Sequence, residues 1–114
     1  MKLRYFTDVE HACQHCGKVG ITQRLGEKLD QLRAALGRPL TLTSGYRCDE
    51  HPIEKRKAKA GTHAQGTAVD IKYSTVRELL SIIKEARRLG FKGLGIHHKF
   101  VHIDLRPNFM WWNY

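Results

Sequence analysis

Apolar residues recur at helical spacing over one clear stretch of the first half of the chain. From Gln23 to Leu36, the residues Leu25, Leu29, Leu32 and Leu36 fall three or four positions apart, which predicts an amphipathic helix. Gly37 is placed to end it. Leu40 to Ser44 reads as a short strand running into a Gly-Tyr-Arg turn. The segment from Cys48 to Thr62 is polar, and its Lys55-Arg56-Lys57-Ala58-Lys59 run is expected on an exposed loop. Thr67 to Lys72 alternates Ala68, Asp70 and Lys72 against Val69 and Ile71, the period of a second strand. Thr75 and Glu78 have the spacing of a capping box. The helix they open presents Val76, Leu79, Leu80, Ile83 and Ala86 on one side and stops at Gly90. The last predicted strand, Lys99 to Leu105, puts Val101, Ile103 and Leu105 on one face and Phe100, His102 and Asp104 on the other. These elements predict an α+β fold, with helices packed against a small, mainly antiparallel sheet.

Length and composition narrow the picture. With 114 residues, no internal repeat and no linker, the chain is expected to form one domain over residues 1–114. Hydrophobic residues at 41% and charged residues at 27% exclude a disordered chain. Apolar runs such as Phe109 to Trp112 are far too short to span a bilayer, so no membrane insertion is expected. Met1-Lys2-Leu3-Arg4-Tyr5 lacks the apolar run of a signal peptide, which predicts synthesis in the cytoplasm without Sec-type export. The net charge of +9 favours an anionic surrounding: nucleic acid, anionic membrane or acidic cell-wall polymer.

Three cysteines do not make a complete disulfide framework. Cys13-Gln14-His15-Cys16, preceded by His11, has metal-like spacing, and Cys48 with His51 offers a second pair for a structural zinc. The plainer reading, and the preferred one, is reduced thiols in a reducing cytosol. A second constellation gathers on the strands. His63 and Asp70 lie seven positions apart with Gly66 to turn the chain between them, and His102 can approach from a neighbouring strand. Two imidazoles and a carboxylate form a zinc shell with one position open. The same ligand types occur in non-haem iron sites, so they do not by themselves fix the metal. Taken singly, His63 reads as a loop histidine and Asp70 as a surface carboxylate beside Lys72.

Ser44-Gly45-Tyr46-Arg47-Cys48, His63 with Asp70, and Phe100-Val101-His102-Ile103-Asp104-Leu105-Arg106 resemble the three signature blocks of the M15 zinc peptidases. The likeness runs from about Phe6 to the C-terminus and is nearest to the small D-Ala-D-Ala carboxypeptidase-like branch of bacteria and phages, with its hedgehog-like fold. It implies that His63, Asp70 and His102 bind Zn2+, and that Arg47 binds substrate or transition state. Two departures stand out. Thr62 precedes His63 in a Gly-Thr-His run where family members often have Ser-x-His. Lys99 stands three residues before His102, where several branches carry the carboxylate general base. His97 is the nearest match to the base of the carboxypeptidase-like branch, with His98 beside it.

The resemblance implies metal-assisted hydrolysis of a peptide bond, with His97 shuttling the proton and Arg47 stabilising the oxyanion or gripping a terminal carboxylate. Asp104 is expected either to hold a ligand imidazole or to pair with Arg106 or Arg47. Trp111 and Trp112 either line a substrate groove or close the core. The implied substrate is a peptidoglycan stem peptide or cross-link, cut by a monomeric phage endolysin or prophage enzyme that reaches the wall by holin-type release. Two other classes remain. A nucleic-acid-binding protein explains the charge but not the His-Asp-His spacing, so no nucleic-acid partner is expected. A degenerate zinc-binding module would keep the metal without turnover.

Overall fold

Good caps begin both long helices, and the two pack together in the core that also takes the apolar face of the sheet. The computed structural model describes residues 2–56 and 61–114. In chain order the elements are α1 (Asp8–His11), α2 (Gln23–Leu36), β1 (Leu42–Ser44), α3 (Pro52–Lys55), β2 (Ala68–Lys72), α4 (Val76–Arg88), β3 (Gly93–Ile96), β4 (Phe100–Asp104) and β5 (Met110–Asn113). Thr22 accepts the Leu25 N–H at the start of α2, and Gly37 ends the helix in the left-handed region at φ 67°. Thr75 does for α4 what Thr22 does for α2, accepting the Glu78 N–H.

The five strands lie in the order β1-β2-β4-β3-β5. All neighbours are antiparallel except β3 and β5, so the expected α+β architecture with a mainly antiparallel sheet is what forms. In the β2–β4 ladder, Val69 faces Ile103 and Ile71 faces Val101, and these four join Leu25, Leu29, Leu32, Leu79, Ile82 and Phe91 in the core. Directly opposed residues share a face of the sheet. The alternate pairs, Asp70 with His102 and Ala68 with Asp104, therefore occupy the other face. One face of the central ladder carries the core and the other carries the chemistry.

Several expectations need correction. The buried stripe of α4 is Leu79, Ile82 and Ala86, while Val76 and Leu80 are 68% and 59% exposed. Adjacent isoleucines at 82 and 83 let two stripes fit the same sequence, and packing on α2 selects the one through Ile82. The strand ending at Asp104 is not the last, because β5 follows and pairs in parallel with β3. β3 itself is Gly-Leu-Gly-Ile, a composition that hides a strand. Its glycines are required sterically: a Cβ on Gly93 would sit 2.1 Å from Asp104 Oδ1. The polar segment after Cys48 contains α3, which Pro52 begins at a position suited to proline. Lys55 and Arg56 are exposed as expected, but Glu54 is 6% exposed. Lys57, Ala58 and Lys59 of the basic run lie outside the described residues. Among the described residues, no helix is long and apolar enough to cross a membrane.

The cap of α4 gives a direct check on this packing. Thr75→Ala should cost about 1 kcal/mol and lower the thermal midpoint by about 4–8 °C, read by far-ultraviolet circular dichroism. An unchanged midpoint would show that tertiary packing alone holds the first turn.

Candidate metal centre

His63 sits in a tight turn that Gly66 makes possible. Gly66 adopts φ 75°, and a Cβ there would lie 2.2 Å from the Gly20 carbonyl, so no other residue fits without moving the chain. The turn is closed by the Gly66 N–H on the His63 carbonyl at 3.2 Å, and the Arg47 N–H bonds the same carbonyl at 3.3 Å. His63 Nδ1 meets the Gly45 carbonyl at 2.8 Å, a bond in which only the ring nitrogen has a proton to give. His63 Nε2 is thereby left as the acceptor atom, and it points at Asp70 Oδ1, 3.2 Å away.

His102 is oriented in the mirror sense. Its Nε2 lies 2.7 Å from Asp104 Oδ2, a charge-assisted bond that fixes the proton on this nitrogen. Its Nδ1 faces Asp70 Oδ1 at 3.0 Å and His63 Nε2 at 3.2 Å. His63, Asp70 and His102 are each only 4% exposed. With both imidazoles neutral, three lone pairs converge with no proton between them. A cation resolves that repulsion. Ligand atoms about 2.0–2.1 Å from a tetrahedral zinc lie about 3.3 Å from one another, and the triangle here has edges of 3.0, 3.2 and 3.2 Å. Both outward nitrogens already have the partners that hold a metal-binding imidazole in place. The donor set and its spacing fit zinc.

Asp104 bonds both the His102 imidazole and Arg106. Besides His102 it takes the Arg106 Nε at 2.8 Å and Nη2 at 2.7 Å, a fork on one fully buried carboxylate. Burial works against the charge, but Arg106 and His102 outweigh it and hold this carboxyl far below the usual range. For Asp70, burial likewise pushes upward, but the His102 and His63 rings against its carboxylate outweigh it and bring the pKa of the metal-free site down to about 2. Burial lowers the His102 pKa, yet Asp104 and Asp70 together raise it above the ordinary imidazole value.

The triangle opens into a cavity of about 720 Å³, lined among others by Arg47, Arg106, Phe100, Trp112 and Tyr114. Arg47 reaches Glu54 Oε2 at 3.4 Å and Asp70 Oδ2 at 3.7 Å, both long contacts, and its buried Nε has no partner among the described residues. Its ion-pair partners among the described residues are thus Glu54 and Asp70, in place of the Asp104 offered by the sequence. His97 is brought less close. It sits at the β3–β4 turn, outside the cavity lining, stacked on Phe100 with ring centroids 4.4 Å apart. Its Nδ1 accepts the Lys99 N–H at 3.1 Å. Burial and the neighbouring His98 and Lys99 lower its pKa. His98 and Lys99 are exposed.

Three residues, Glu54, Gly45 and Tyr114, enter the site that the sequence did not announce, while Trp112 takes the groove-lining alternative expected of it. Glu54 lay in a segment read as exposed loop, although Pro52 was a helix-start signal just before it. Gly45 contributes only its carbonyl. Trp112 lines the cavity with its ring 5.2 Å from His102, while Trp111 stays 57% exposed outside it. Tyr114 follows β5, the unexpected strand. Elsewhere, Cys13, Cys16 and Cys48 bring their Sγ atoms within 4.8 Å of one another. Burial disfavours the Cys13 thiolate, but backbone N–H groups of Cys48, Cys16 and His15 more than compensate and lower its pKa to about 7.

The peptidase M15 family model matches this chain over residues 4–104, a span that includes every residue of the triangle. No curated protein matches the chain.

The buried charges predict the pH response of the metal-free protein. Asp70 and Asp104 have folded pKa values below the unfolded value of about 3.9, so their contribution is complete above it and is lost as pH falls toward 2. His102 is raised, so its contribution is complete below about 6.5 and is lost as pH climbs through its folded pKa. Chelated protein should therefore be most stable between these limbs in urea unfolding. Asp104→Asn should flatten both limbs, and an unaltered pH profile would contradict the assignment.

Proposed function

The chain belongs to the peptidase M15 family, and on that premise we propose that it is a zinc-dependent peptidase acting on peptidoglycan stem peptides or their cross-links. The observation that carries this reading is the triangle of His63 Nε2, Asp70 Oδ1 and His102 Nδ1, open on one side to a cavity with a half-satisfied arginine. Zinc held by these three atoms supplies Lewis-acid polarisation of the scissile carbonyl and acidifies water.

The chain's own groups do the rest. Gly45 and Asp104 hold the outward nitrogens of the two imidazoles and aim the other nitrogens inward, so the donor rings are already oriented for metal binding. Asp70 presents Oδ1 to the centre while its Oδ2 faces Arg47, which ties the position of the arginine to that of the ligand. Arg47 has donors left over, and in this reading they grip a terminal carboxylate or the developing oxyanion. Trp112 and Phe100 form apolar walls for a peptide, and Arg106 keeps a cation beside them. Proton transfer is assigned to His97 Nε2. For that atom to accept a proton, the ring must take the tautomer in which Nδ1 carries the hydrogen, which opens its bond to the Lys99 N–H.

The net charge of +9 suits a substrate embedded in an anionic envelope. That setting supports the role of a phage endolysin or prophage lytic enzyme of D-Ala-D-Ala carboxypeptidase or endopeptidase type, working as a monomer. Digestion of purified peptidoglycan followed by mass spectrometry of the products names the bond cut. Release of terminal alanine marks a carboxypeptidase, and separation of cross-linked dimers marks an endopeptidase. Stoichiometric zinc with no product at all would instead make this a module that keeps the metal without turnover.

Two substitution series test the assigned roles. Arg47→Lys and Arg47→Ala should each lose about a hundred- to a thousandfold in hydrolysis rate with zinc content and thermal midpoint retained, because a point charge does not reproduce the planar fork. Rate loss matched by unfolding would make Arg47 a purely structural partner of Glu54. His97→Ala should reduce turnover by about two to four orders of magnitude and leave zinc in place. Full activity in that variant would move the role to His98 or to a more distant carboxylate, which the parallel His98→Ala assay separates.

A further inference from the structure

The three cysteines are unused by the reaction described above, yet the fold brings them from two separate loops to one point. Their Sγ atoms lie mutually within 4.8 Å, and thiolates sharing one tetrahedral zinc at about 2.3 Å stand about 3.8 Å apart. The first loop is already wound as a tight knuckle. The Gly17 N–H bonds the Cys13 carbonyl at 2.7 Å, the Cys13 N–H bonds the Lys18 carbonyl at 2.9 Å, and Gly17 takes φ 78°. The Cys48 N–H reaches across to Cys13 Sγ at 3.3 Å, so the second loop donates to the sulfur of the first. Such N–H contacts favour negative sulfur.

We propose that Cys13, Cys16 and Cys48 hold a second metal ion of the zinc class, in a structural site separate from the His63–Asp70–His102 centre. A disulfide does not account for the arrangement, because it would join two sulfurs and leave the third beside them. Thiolate donors select zinc over the hard cations magnesium and calcium. Among the described residues, no other His, Cys, Asp or Glu joins the group within the same mutual range. The fourth position falls to water or to an imidazole, His15 from the first loop or His51 from the second, whose rings stand 6.3 Å apart.

This site has a structural task. Cys48 directly follows Arg47 on the arm that leaves β1. That arm presents the Gly45 carbonyl to His63, and its Tyr46 N–H bonds the His11 carbonyl at 2.9 Å. A metal on the three thiolates pins the far end of the arm to the knuckle, so the group that orients His63 is held from both sides.

The test uses the full chain purified without chelator. Wild-type protein should carry about two zinc ions per chain, and Cys16→Ser about one, as expected for two independent single-ion sites. Cys16 is exposed, so its substitution leaves the core untouched and the circular dichroism unchanged, whereas buried Cys13 is a riskier position. Exchange with cobalt(II) supplies a readout specific to sulfur. Wild type and His102→Ala should both show intense thiolate-to-cobalt charge-transfer absorption, and Cys16→Ser should lose most of it. Loss of His102 with the thiolate band intact would separate the two sites cleanly, even if the peptidase reading failed. Cobalt-loaded wild type without the band, equal zinc in wild type and Cys16→Ser, or an intact mass showing a disulfide would each overturn the proposal.

Discussion

The register that sets Asp70 opposite His102 across β2 and β4 is the constraint on which the site depends. A slip of one residue would set Asp70 opposite Val101 or Ile103 and leave Asp70 and His102 on opposite faces of the ladder. The apolar pairs Val69–Ile103 and Ile71–Val101 hold that register, so the hydrophobic face of the ladder positions the polar one. Asp104 then transmits the constraint outward. It is fully buried, which is tolerable only because Arg106 and His102 satisfy its oxygens, and removing either partner would leave a charge stranded. Gly93 keeps the room for that carboxylate on the neighbouring strand.

The three candidate donors come from two strands and one loop, and each has a different source of rigidity. Asp70 and His102 are held by the ladder. His63 depends on the Gly66 turn and on the Gly45 arm, which is in turn anchored to the N-terminal segment through His11. The least regular part of the chain thus fixes one third of the centre. Arg47 belongs to the same arm, between Glu54 of α3 and Asp70 of β2, and its N–H bonds the His63 carbonyl.

Much of this was readable in the sequence where the pattern is periodic or the chemistry is spaced. α2 was legible from its leucines, β2 and β4 from their alternation, and the start of α4 from Thr75 and Glu78. His63, Asp70 and His102 were legible because two imidazoles and a carboxylate stood near turns and strands in the order of a known family. Other parts were not. β3 is half glycine, and those glycines reflect what sits beside them, Asp104 at 93 and Trp112 at 95, a relation no local pattern encodes. β5 pairs in parallel with a strand distant in sequence, so no hairpin signal marks it. The sequence does not mark the buried stripe of α4, because only packing on α2 distinguishes Ile82 from Ile83. Glu54 looked like one charge among many until its arginine was placed.

The central claim is that His63, Asp70 and His102 together hold the zinc. It is tested most directly by zinc-edge X-ray absorption on the full-length Cys16→Ser protein, in which the thiolate cluster is disabled. The account predicts a shell of nitrogen and oxygen atoms at about 2.0–2.1 Å with imidazole scattering behind it. A shell dominated by sulfur at about 2.3 Å, or a protein that takes up no zinc, would contradict it.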